Sequence, residues 1–320
     1  MKNTTALSVP AFIVALFIFS HTVALEAPGY FMVKNKKSTI IPFEFYQNLI
    51  IVPVKVNGKK LNMIMDTGIR SMVLLGDRFN HLINTDIELP VGGWGNQEPQ
   101  VGRLSANNQI QIGGIQGNGI SIMVLSKNYL YPHLKQKIHG IMGYQLLCRF
   151  LVKIDYIKQE LIIFSPDSHP DLCEYERVAL EIKDTKPYVD ATIQYGKNKP
   201  IDLLLMVDLG ASKEVLLNHS ALPVAFRGTT KPKQNIGIGL SGKIQGFILD
   251  DVNLFLSNIF LGEYQCELAD KNITQQKQNL ISQSHGLLGN AVLKKYYIIF
   301  DYAGGIMYMK HVDTKQHKTS

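Results

Sequence analysis

The sequence has little of what marks disulfide-rich, metal-binding or disordered proteins. Its 320 residues include only three cysteines, Cys148, Cys173 and Cys266, and this wide spacing matches no metal site. An odd count allows at most one disulfide bond and leaves one thiol free. With 46% hydrophobic and 18% charged residues, the chain can form a globular core, and we expect the fold to depend on that core.

A basic stripe and the common catalytic signatures are also missing. The 33 Lys and Arg residues against 26 Asp and Glu residues give a net charge of +7, but the excess is spread along the chain, which argues against a nucleic-acid partner. The motifs Gly-x-Ser-x-Gly and His-Glu-x-x-His and a phosphate-binding loop do not occur. We therefore expect no metal and no other cofactor.

Only one short apolar run suggests a targeting segment. Residues 11–19 are mostly apolar, follow Lys2 and precede small residues at positions 22–24. This pattern predicts a secretory signal peptide over residues 1–24. The run is shorter than the roughly 20 residues that span a bilayer, although a retained membrane anchor is the alternative. We expect an exported protein, periplasmic or secreted, without membrane association after signal cleavage.

Two sequence elements occur twice, in the same order and at similar spacing. The first element is Asp66-Thr67-Gly68 with Val73-Leu74-Leu75, and its copy is Asp208-Leu209-Gly210 with Val215-Leu216-Leu217. The second element runs from Gly140-Ile141-Met142-Gly143 to Asp155-Tyr156, and its copy runs from Gly286-Leu287-Leu288-Gly289 to Asp301-Tyr302. Such self-similarity indicates an internal duplication. It predicts an N-terminal lobe over residues 25–170 and a C-terminal lobe over residues 171–320.

Strand and turn signals predominate in both copies. An alternating segment runs into Asn57-Gly58, a typical hairpin turn. The returning segments, 61–65 and 203–207, are almost wholly apolar, as expected for strands covered on both faces. Short helices are predicted only at 144–150 and 290–296. The sequence therefore predicts an all-β protein.

The aspartates that follow these returning strands, Asp66 and Asp208, carry the chemical argument. A buried carboxylate is costly unless it is hydrogen-bonded or paired. Equivalent residues of a duplicated fold meet across a pseudo-twofold axis, so we expect the two carboxyls to face each other. Gly68 and Gly210 would let backbone amides approach them. Two adjacent carboxyls share one proton at neutral or weakly acid pH, which places an acid and a base in one site.

The repeated elements resemble the signature elements of pepsin-like and retropepsin-like aspartic proteases. Met65-Asp66-Thr67-Gly68 is similar to the catalytic motif of that family, and the apolar-apolar-Gly segments that end at Gly143 and Gly289 are similar to its second element. The resemblance covers roughly residues 40–310 and is closest to bacterial exported retropepsin-like proteins with two fused lobes. It implies closed-barrel-like β lobes, a cleft between them and a water held by the two aspartates. The supporting residues would be Thr67, Gly68, Leu209 and Gly210.

Glycine-rich hairpin flaps close the cleft in that family, and the resemblance implies two candidates here. One is segment 91–95, and the other is segment 236–242. Trp94, the only tryptophan, would either cover a bound peptide or cap the core of its own lobe. For the glycines, an ordinary hairpin tip is the alternative. The candidate flap residues are Gly93, Trp94, Gly95, Gly239 and Leu240.

Two departures from the family's pattern concern the aspartate loops. The family has threonine after both aspartates, with each hydroxyl bonding across the lobe interface, whereas this chain has Thr67 but Leu209. The residues after the glycines are Ile69 and Ala211, so neither supplies the hydroxyl that pepsins place against the outer carboxylate oxygen. Fewer donors to the charged form raise a carboxyl pKa. We therefore expect a working pH nearer weakly acid than strongly acid.

Other repeated polar residues are interpreted as structural. Asp155 and Asp301 each precede a tyrosine and a hairpin turn, where an exposed aspartate that caps backbone amides is expected. His139 and His285 precede the apolar-apolar-Gly elements, but no further ligand repeats at metal spacing, so polar loop positions are favoured.

The resemblance implies an aspartic endopeptidase that cleaves peptide or protein substrates by activating a water between two carboxyls. The alternative is a peptide-binding relative of the same fold with weak or no turnover, which Leu209 and Ile69 suggest. A β-rich surface or adhesion protein, in which Asp-x-Gly is merely a turn, is a third interpretation. Because one chain carries both aspartates, activity requires no dimer, and we expect a monomer.

Overall fold

The structure is a computed structural model that describes residues 16–18, 29–33, 37–95, 97–128, 130, 134, 137–218, 222, 232–270 and 284–312. Nearly all of its regular structure is β-strand, as predicted. The helical segments in these ranges are a 3-10 helix over Asp77–Leu82, α1 over Tyr144–Leu147 and α2 over Asn290–Leu293. The two predicted helices therefore form but end earlier than expected. None of the described helices has the length and apolar character that a bilayer crossing requires.

The strands of the described residues follow one another along the chain. They are β1 Leu16–Ile18, β2 Tyr30–Val33, β3 Ser38–Pro42, β4 Glu44–Tyr46, β5 Leu49–Val56, β6 Lys59–Met65, β7 Met72–Leu75, β8 Glu88–Gly93, β9 Gln100–Ile112, β10 Ile115–Leu125, β11 Gly140–Met142, β12 Val152–Asp155, β13 Glu160–Phe164, β14 Glu176–Ala179, β15 Glu181–Lys183, β16 Lys186–Tyr195, β17 Ile201–Asp208, β18 Val215–Asn218, β19 Gln234–Gly239, β20 Gly242–Leu256, β21 Ile259–Ala269, β22 Gly286–Gly289, β23 Tyr296–Asp301 and β24 Ile306–His311.

Two of the three sheets contain closed barrels of six strands each. The first sheet has the order β1-β8-β9-β10-β7-β11-β6-β5-β4, with β2 on β10, and β5 also pairs with β9, which closes the ring. The second sheet has the order β15-β16-β17-β22-β18-β21-β20-β19, and β16 closes it by pairing with β20. Equivalent strands pair alike: β6 runs parallel to β11, and β17 runs parallel to β22. The duplication seen in the sequence is therefore a duplication of strand pairing.

A third sheet of six strands joins the two copies. Its order is β14-β24-β23-β12-β13-β3, so it takes strands from both sides of the predicted boundary at residue 170. In the antiparallel pair β12 and β23, Lys153 lies opposite Ile299, and these residues occupy the same position in the two copies. An antiparallel pair in which equivalent residues face each other has a twofold axis through its centre. The pseudo-twofold axis expected from the duplication passes here.

The described part of the N-terminal segment is a short strand, and the three cysteines remain unpaired. Strand β1 lies inside the predicted signal peptide and pairs with β8 over Val91–Gly93. The rest of that peptide lies outside the described residues. No disulfide bond forms among the three cysteines, all of which are described. Cys266 is buried, Cys148 is half-buried and Cys173 is exposed.

Candidate active site

The two repeated aspartates are delivered by equivalent strands. Strand β6 ends directly before Asp66, and β17 ends at Asp208. Each strand is held between an antiparallel neighbour and a parallel one, and the residues at its C-terminal end are buried. Both aspartates are 0% exposed. Buried carboxyls at two strand ends require compensating partners, and these partners define the site.

The first partner of each carboxyl is the other carboxyl. Asp66 and Asp208 lie within hydrogen-bonding reach of each other. The backbone of Gly210 lies directly against Asp66, because a Cβ at position 210 would be 2.4 Å from Asp66 Cγ and Oδ2. The absence of a side chain at Gly210 therefore allows the approach of the two loops. The predicted meeting of the two copies occurs at these residues.

Backbone amides hold the inner oxygen of each carboxyl. Gly68 N–H donates to Asp66 Oδ1 at 2.6 Å, and Gly210 N–H donates to Asp208 Oδ1 at 2.8 Å. Within the described part of the chain, the Oδ2 atoms of both aspartates are buried and accept no hydrogen bond from a third residue. The two outer oxygens are thus the ones available to a reacting molecule. This fits the prediction that neither Ile69 nor Ala211 supplies a hydroxyl there.

The electrostatics of the pair favour one shared proton. Burial raises the pKa of both carboxyls, and that of Asp208 reaches about 7. For Asp66 the charge on Asp208 raises the pKa further, whereas backbone N–H groups of Gly210 and Ala211 lower that of Asp208. Because both pKa values are raised and the two carboxyls interact, the pair holds one shared proton and one negative charge.

Thr67 connects the two aspartate loops. Its hydroxyl donates to Val207 O at 2.5 Å and accepts from Leu209 N–H at 2.9 Å. A hydroxyl at position 209 would reach back in the same way, but Leu209 instead lies fully buried in the main hydrophobic core. Of the two hydroxyl contacts expected between the aspartate loops, the one from Thr67 is present. Apolar packing of Leu209 takes the place of the other.

Sequence reasoning missed a polar pair behind the second loop. Asn290 Nδ2 donates to Leu209 O at 2.5 Å, and Tyr156 OH donates to Asn290 Oδ1 at 2.7 Å. Asn290 is 0% exposed, and Tyr156 is also buried. One signal was available, because Asn290 directly follows the apolar-apolar-Gly element at a position where the first copy has Tyr144.

Lys186 is a second feature that the sequence did not indicate. It begins β16, is buried and forms an ion pair with Asp184 at 3.4 Å. Burial lowers the pKa of Lys186, while its positive charge lowers the pKa of Asp66. A cation therefore lies close enough to the aspartate pair to influence its titration.

The two candidate flaps are hairpins whose tips interlock. The first is the β8–β9 hairpin, and the second is the β19–β20 hairpin. Gly93 N–H donates to Ser241 Oγ at 3.2 Å, and Ser241 N–H donates to Trp94 O at 3.0 Å. A Cβ at Gly239 would lie 2.1 Å from Trp94 O, and one at Gly95 would lie 2.1 Å from Ser241 O. The glycines therefore allow the two tips to pass within backbone contact, which an ordinary hairpin tip does not need.

Trp94 does not cap the core of its own copy, which was one of the two alternatives for this residue. Its side chain is 3% exposed and belongs to a buried cluster that otherwise comes from the second half of the chain. Conversely, Ile238 and Leu240 of the second copy belong to a buried cluster built mainly from residues of the first sheet. Each hairpin tip packs on the other copy, because the contact between the tips carries these side chains across. The other members of the Trp94 cluster are Tyr188, Met206, Ala211, Leu216, Ile236, Ile244, Ala269 and Leu287.

We expect Trp94→Ala to lower the free energy of unfolding by about 3 kcal/mol in the absence of any peptide, because the substitution empties a buried site. Chemical denaturation of the purified protein measures this, with Trp94→Phe as the milder control. An unchanged stability in Trp94→Ala would show that the hairpins do not pack together in solution.

The remaining repeated residues have structural contacts. His139 Nδ1 accepts from Asn62 N–H at 3.0 Å, and His285 Nδ1 accepts from Leu204 N–H at 2.8 Å. Both histidines thus bind the strand that leads to an aspartate. Among the described residues, no group of three or more His, Cys, Asp or Glu side chains is arranged to hold a metal ion.

Asp155 and Asp301 cap turns, as predicted. Asp155 Oδ1 accepts from the N–H groups of Ile157 and Lys158, and Asp301 Oδ1 accepts from Gly304 N–H at 2.7 Å. However, Asp155 is buried and Asp301 is partly buried. The expectation that they are exposed was wrong, because each residue ends a central strand of the third sheet.

Comparison with known families supports the same chemistry. Residues 52–146 match the family model for aspartyl proteases. The matched segment runs from β5 into α1 and contains Asp66-Thr67-Gly68 and the first apolar-apolar-Gly element. Together with the all-β fold, this match supports an aspartic-protease-like domain in the chain. A search of curated proteins found no match.

Proposed function

We propose that the protein is an aspartic endopeptidase whose catalytic residues are Asp66 and Asp208. The observation that carries this proposal is the buried carboxyl pair, in which the inner oxygens are bound by backbone amides and the outer oxygens are bound by no third residue. A pair that served only to brace the fold would use its outer oxygens as acceptors as well. Structural bracing is instead provided by Thr67 and the backbone around it.

The mechanism uses the two carboxyls in different protonation states. The ionised carboxyl of the pair takes a proton from a water that the outer oxygens hold, and the oxygen of this water attacks the peptide carbonyl carbon. At the same time the protonated carboxyl donates its proton to the carbonyl oxygen, which gives a neutral tetrahedral diol. Collapse of the diol breaks the C–N bond, with the first carboxyl returning its proton to the amine nitrogen and the second recovering a proton from a hydroxyl. No covalent intermediate forms.

Access to the site requires movement of the hairpin flaps. Both aspartates are 0% exposed, and the flap tips are held together through Ser241. We infer that a substrate enters when the tips separate and that their return excludes water from the reaction. The flaps then belong to two lobes, over residues 25–170 and 171–320, with the substrate cleft between them.

We also propose export and action as a monomer. The signal-peptide pattern over residues 1–24 supports a periplasmic or secreted location. Removal of that peptide would take away β1, which pairs with the edge of β8 at Val91–Gly93. An extended peptide substrate could pair with the same edge by strand addition.

The test is hydrolysis of a mixed peptide library by the chain that starts at Leu25, measured from about pH 3 to about pH 8. We expect internal cleavage with an optimum at weakly acid pH, because burial raises the pKa of both catalytic carboxyls. Absence of products at every pH would overturn the proposal. Binding of library peptides without cleavage would instead identify a peptide-binding relative of the same fold.

A further inference from the structure

The second aspartate loop is held by more than its own motif. Leu209 makes two buried backbone hydrogen bonds, one from its N–H to Thr67 Oγ1 and one from Asn290 Nδ2 to its carbonyl oxygen. Asn290 also donates its backbone N–H to Ala211 O at 2.8 Å. One residue therefore bonds on both sides of Gly210.

Gly210 is the residue whose position matters most for the carboxyl pair. Its N–H binds Asp208 Oδ1, and its α-carbon lies against the Asp66 carboxyl. Fixing the chain at Leu209 and Ala211 leaves Gly210 little freedom. Any displacement of this loop would change the donor to Asp208 and the separation of the two carboxyls.

The orientation of the Asn290 amide is set from the other copy of the repeat. Tyr156 lies 134 positions away in the chain, belongs to the first copy and donates its hydroxyl proton to Asn290 Oδ1. That bond directs Nδ2 of Asn290 toward the Leu209 carbonyl. The contact chain from Tyr156 through Asn290 to Leu209 therefore crosses the boundary between the two copies, as the Thr67 hydroxyl does.

The first copy has the equivalent backbone hydrogen bond but no equivalent of the Asn290 side-chain hydrogen bonds. Tyr144 N–H donates to Ile69 O at 3.2 Å, which is the equivalent of the bond from Asn290 to Ala211. The Tyr144 ring instead packs edge-to-face on Tyr302, with centroids 5.9 Å apart. The asparagine contact thus occurs only behind the loop that carries Leu209.

We propose that Asn290, oriented by Tyr156, is a positioning residue that fixes the Asp208 loop and provides the second connection between the copies that Leu209 cannot make. This inference rests on the proposed catalytic role of Asp208. Neither residue is assigned a contact with substrate, so their effect is on the geometry and titration of the carboxyl pair. The other titratable groups close to that pair are Tyr302 and Lys186.

The decisive variants alter the asparagine amide. Asn290→Leu removes both side-chain hydrogen bonds at similar size, and we expect kcat to fall about tenfold with KM unchanged within about twofold. Asn290→Asp keeps an acceptor for Tyr156 but donates to Leu209 O only while protonated. We expect its kcat to approach that of the wild type at the acid end of the working range and to fall toward that of Asn290→Leu as pH rises.

The matched control is a second buried tyrosine. Tyr156→Phe removes one buried hydrogen bond to Asn290, and Tyr264→Phe removes a hydrogen bond to Leu261 O and one from Lys295 Nζ elsewhere in the fold. We expect Tyr156→Phe to lower kcat about threefold and Tyr264→Phe to leave it unchanged. Equal kcat values in these two variants would overturn the proposal. If Asn290→Leu does not fold, the comparison of Tyr156→Phe with Tyr264→Phe still tests the positioning role of Asn290.

A readout without substrate separates this inference from the proposed function. Carbon NMR of the aspartate carboxyls measures their titration directly, and we expect Asn290→Leu to raise the Asp208 midpoint by at least about half a pH unit, because the Gly210 donor is displaced. We expect Tyr264→Phe to leave the titration midpoint of Asp208 unchanged. If the wild type cuts peptides but no midpoint shift occurs, the positioning role is wrong. If the shift occurs in a protein that cuts no peptide, the proposed function is wrong and the positioning role stands.

Discussion

Replacing either Asp66 or Asp208 with asparagine will abolish peptide cleavage, with kcat reduced about 10³-fold or more. Each carboxyl has a separate task in the mechanism, one as the base that activates water and the other as the acid that protonates the carbonyl oxygen. An amide has nearly the same shape but neither gains nor loses a proton in the working range. The comparison uses initial rates on a peptide that the wild type cleaves.

Asp301→Asn is the matched control for these substitutions. Asp301 is also a repeated aspartate, but it caps a turn through Gly304, and an asparagine oxygen accepts the same hydrogen bond. We expect its cleavage rate to equal that of the wild type. If Asp66→Asn or Asp208→Asn retained full activity while folded, the carboxyl pair would not be the catalytic site.

The contribution of the Asp66–Asp208 pair to the free energy of unfolding will fall as pH rises from about 4 to about 8. Burial raises the pKa of Asp66 and Asp208 above the value of 3.8 that each has in the unfolded chain. The stabilisation from these groups is therefore fully present below about pH 4 and is lost as pH rises through the folded pKa, which is about 7 for Asp208. Each unit of pKa difference corresponds to about 1.4 kcal/mol. Denaturation midpoints measured across this range test the expectation.

The double variant Asp66→Asn/Asp208→Asn isolates the contribution of the pair. Glu267 is largely buried beside Lys213, and its pKa is also raised by burial, so it adds a pH dependence of the same sign in both proteins. The difference between the wild type and the double variant removes that contribution. We expect this difference to favour the wild type increasingly toward acid pH, and a constant difference would show that the two carboxyls are not buried together.

The sequence by itself determined the all-β class, the duplication and the identity of the aspartate pair. These features are readable because they are local and repeated: an apolar strand, an aspartate, a small residue and a glycine stand in order in each copy. Asp208 was identified by its equivalence to Asp66, since its own motif is imperfect at Leu209. The turn at Asn57-Gly58 was readable for the same reason, because left-handed backbone at both residues is a local property.

Only the tertiary structure decided how the pair is supported and covered. The bond from Tyr156 to Asn290 joins residues 134 positions apart, and the packing of Trp94 depends on a hairpin that crosses to the other copy. Lys186 likewise comes close to Asp66 from a different sheet. Contacts of this kind have no local sequence pattern, because the closure of two barrels around a shared axis brings their partners together. The identity of the two paired aspartates is thus a property of the repeat, whereas their geometry and protonation are properties of the fold.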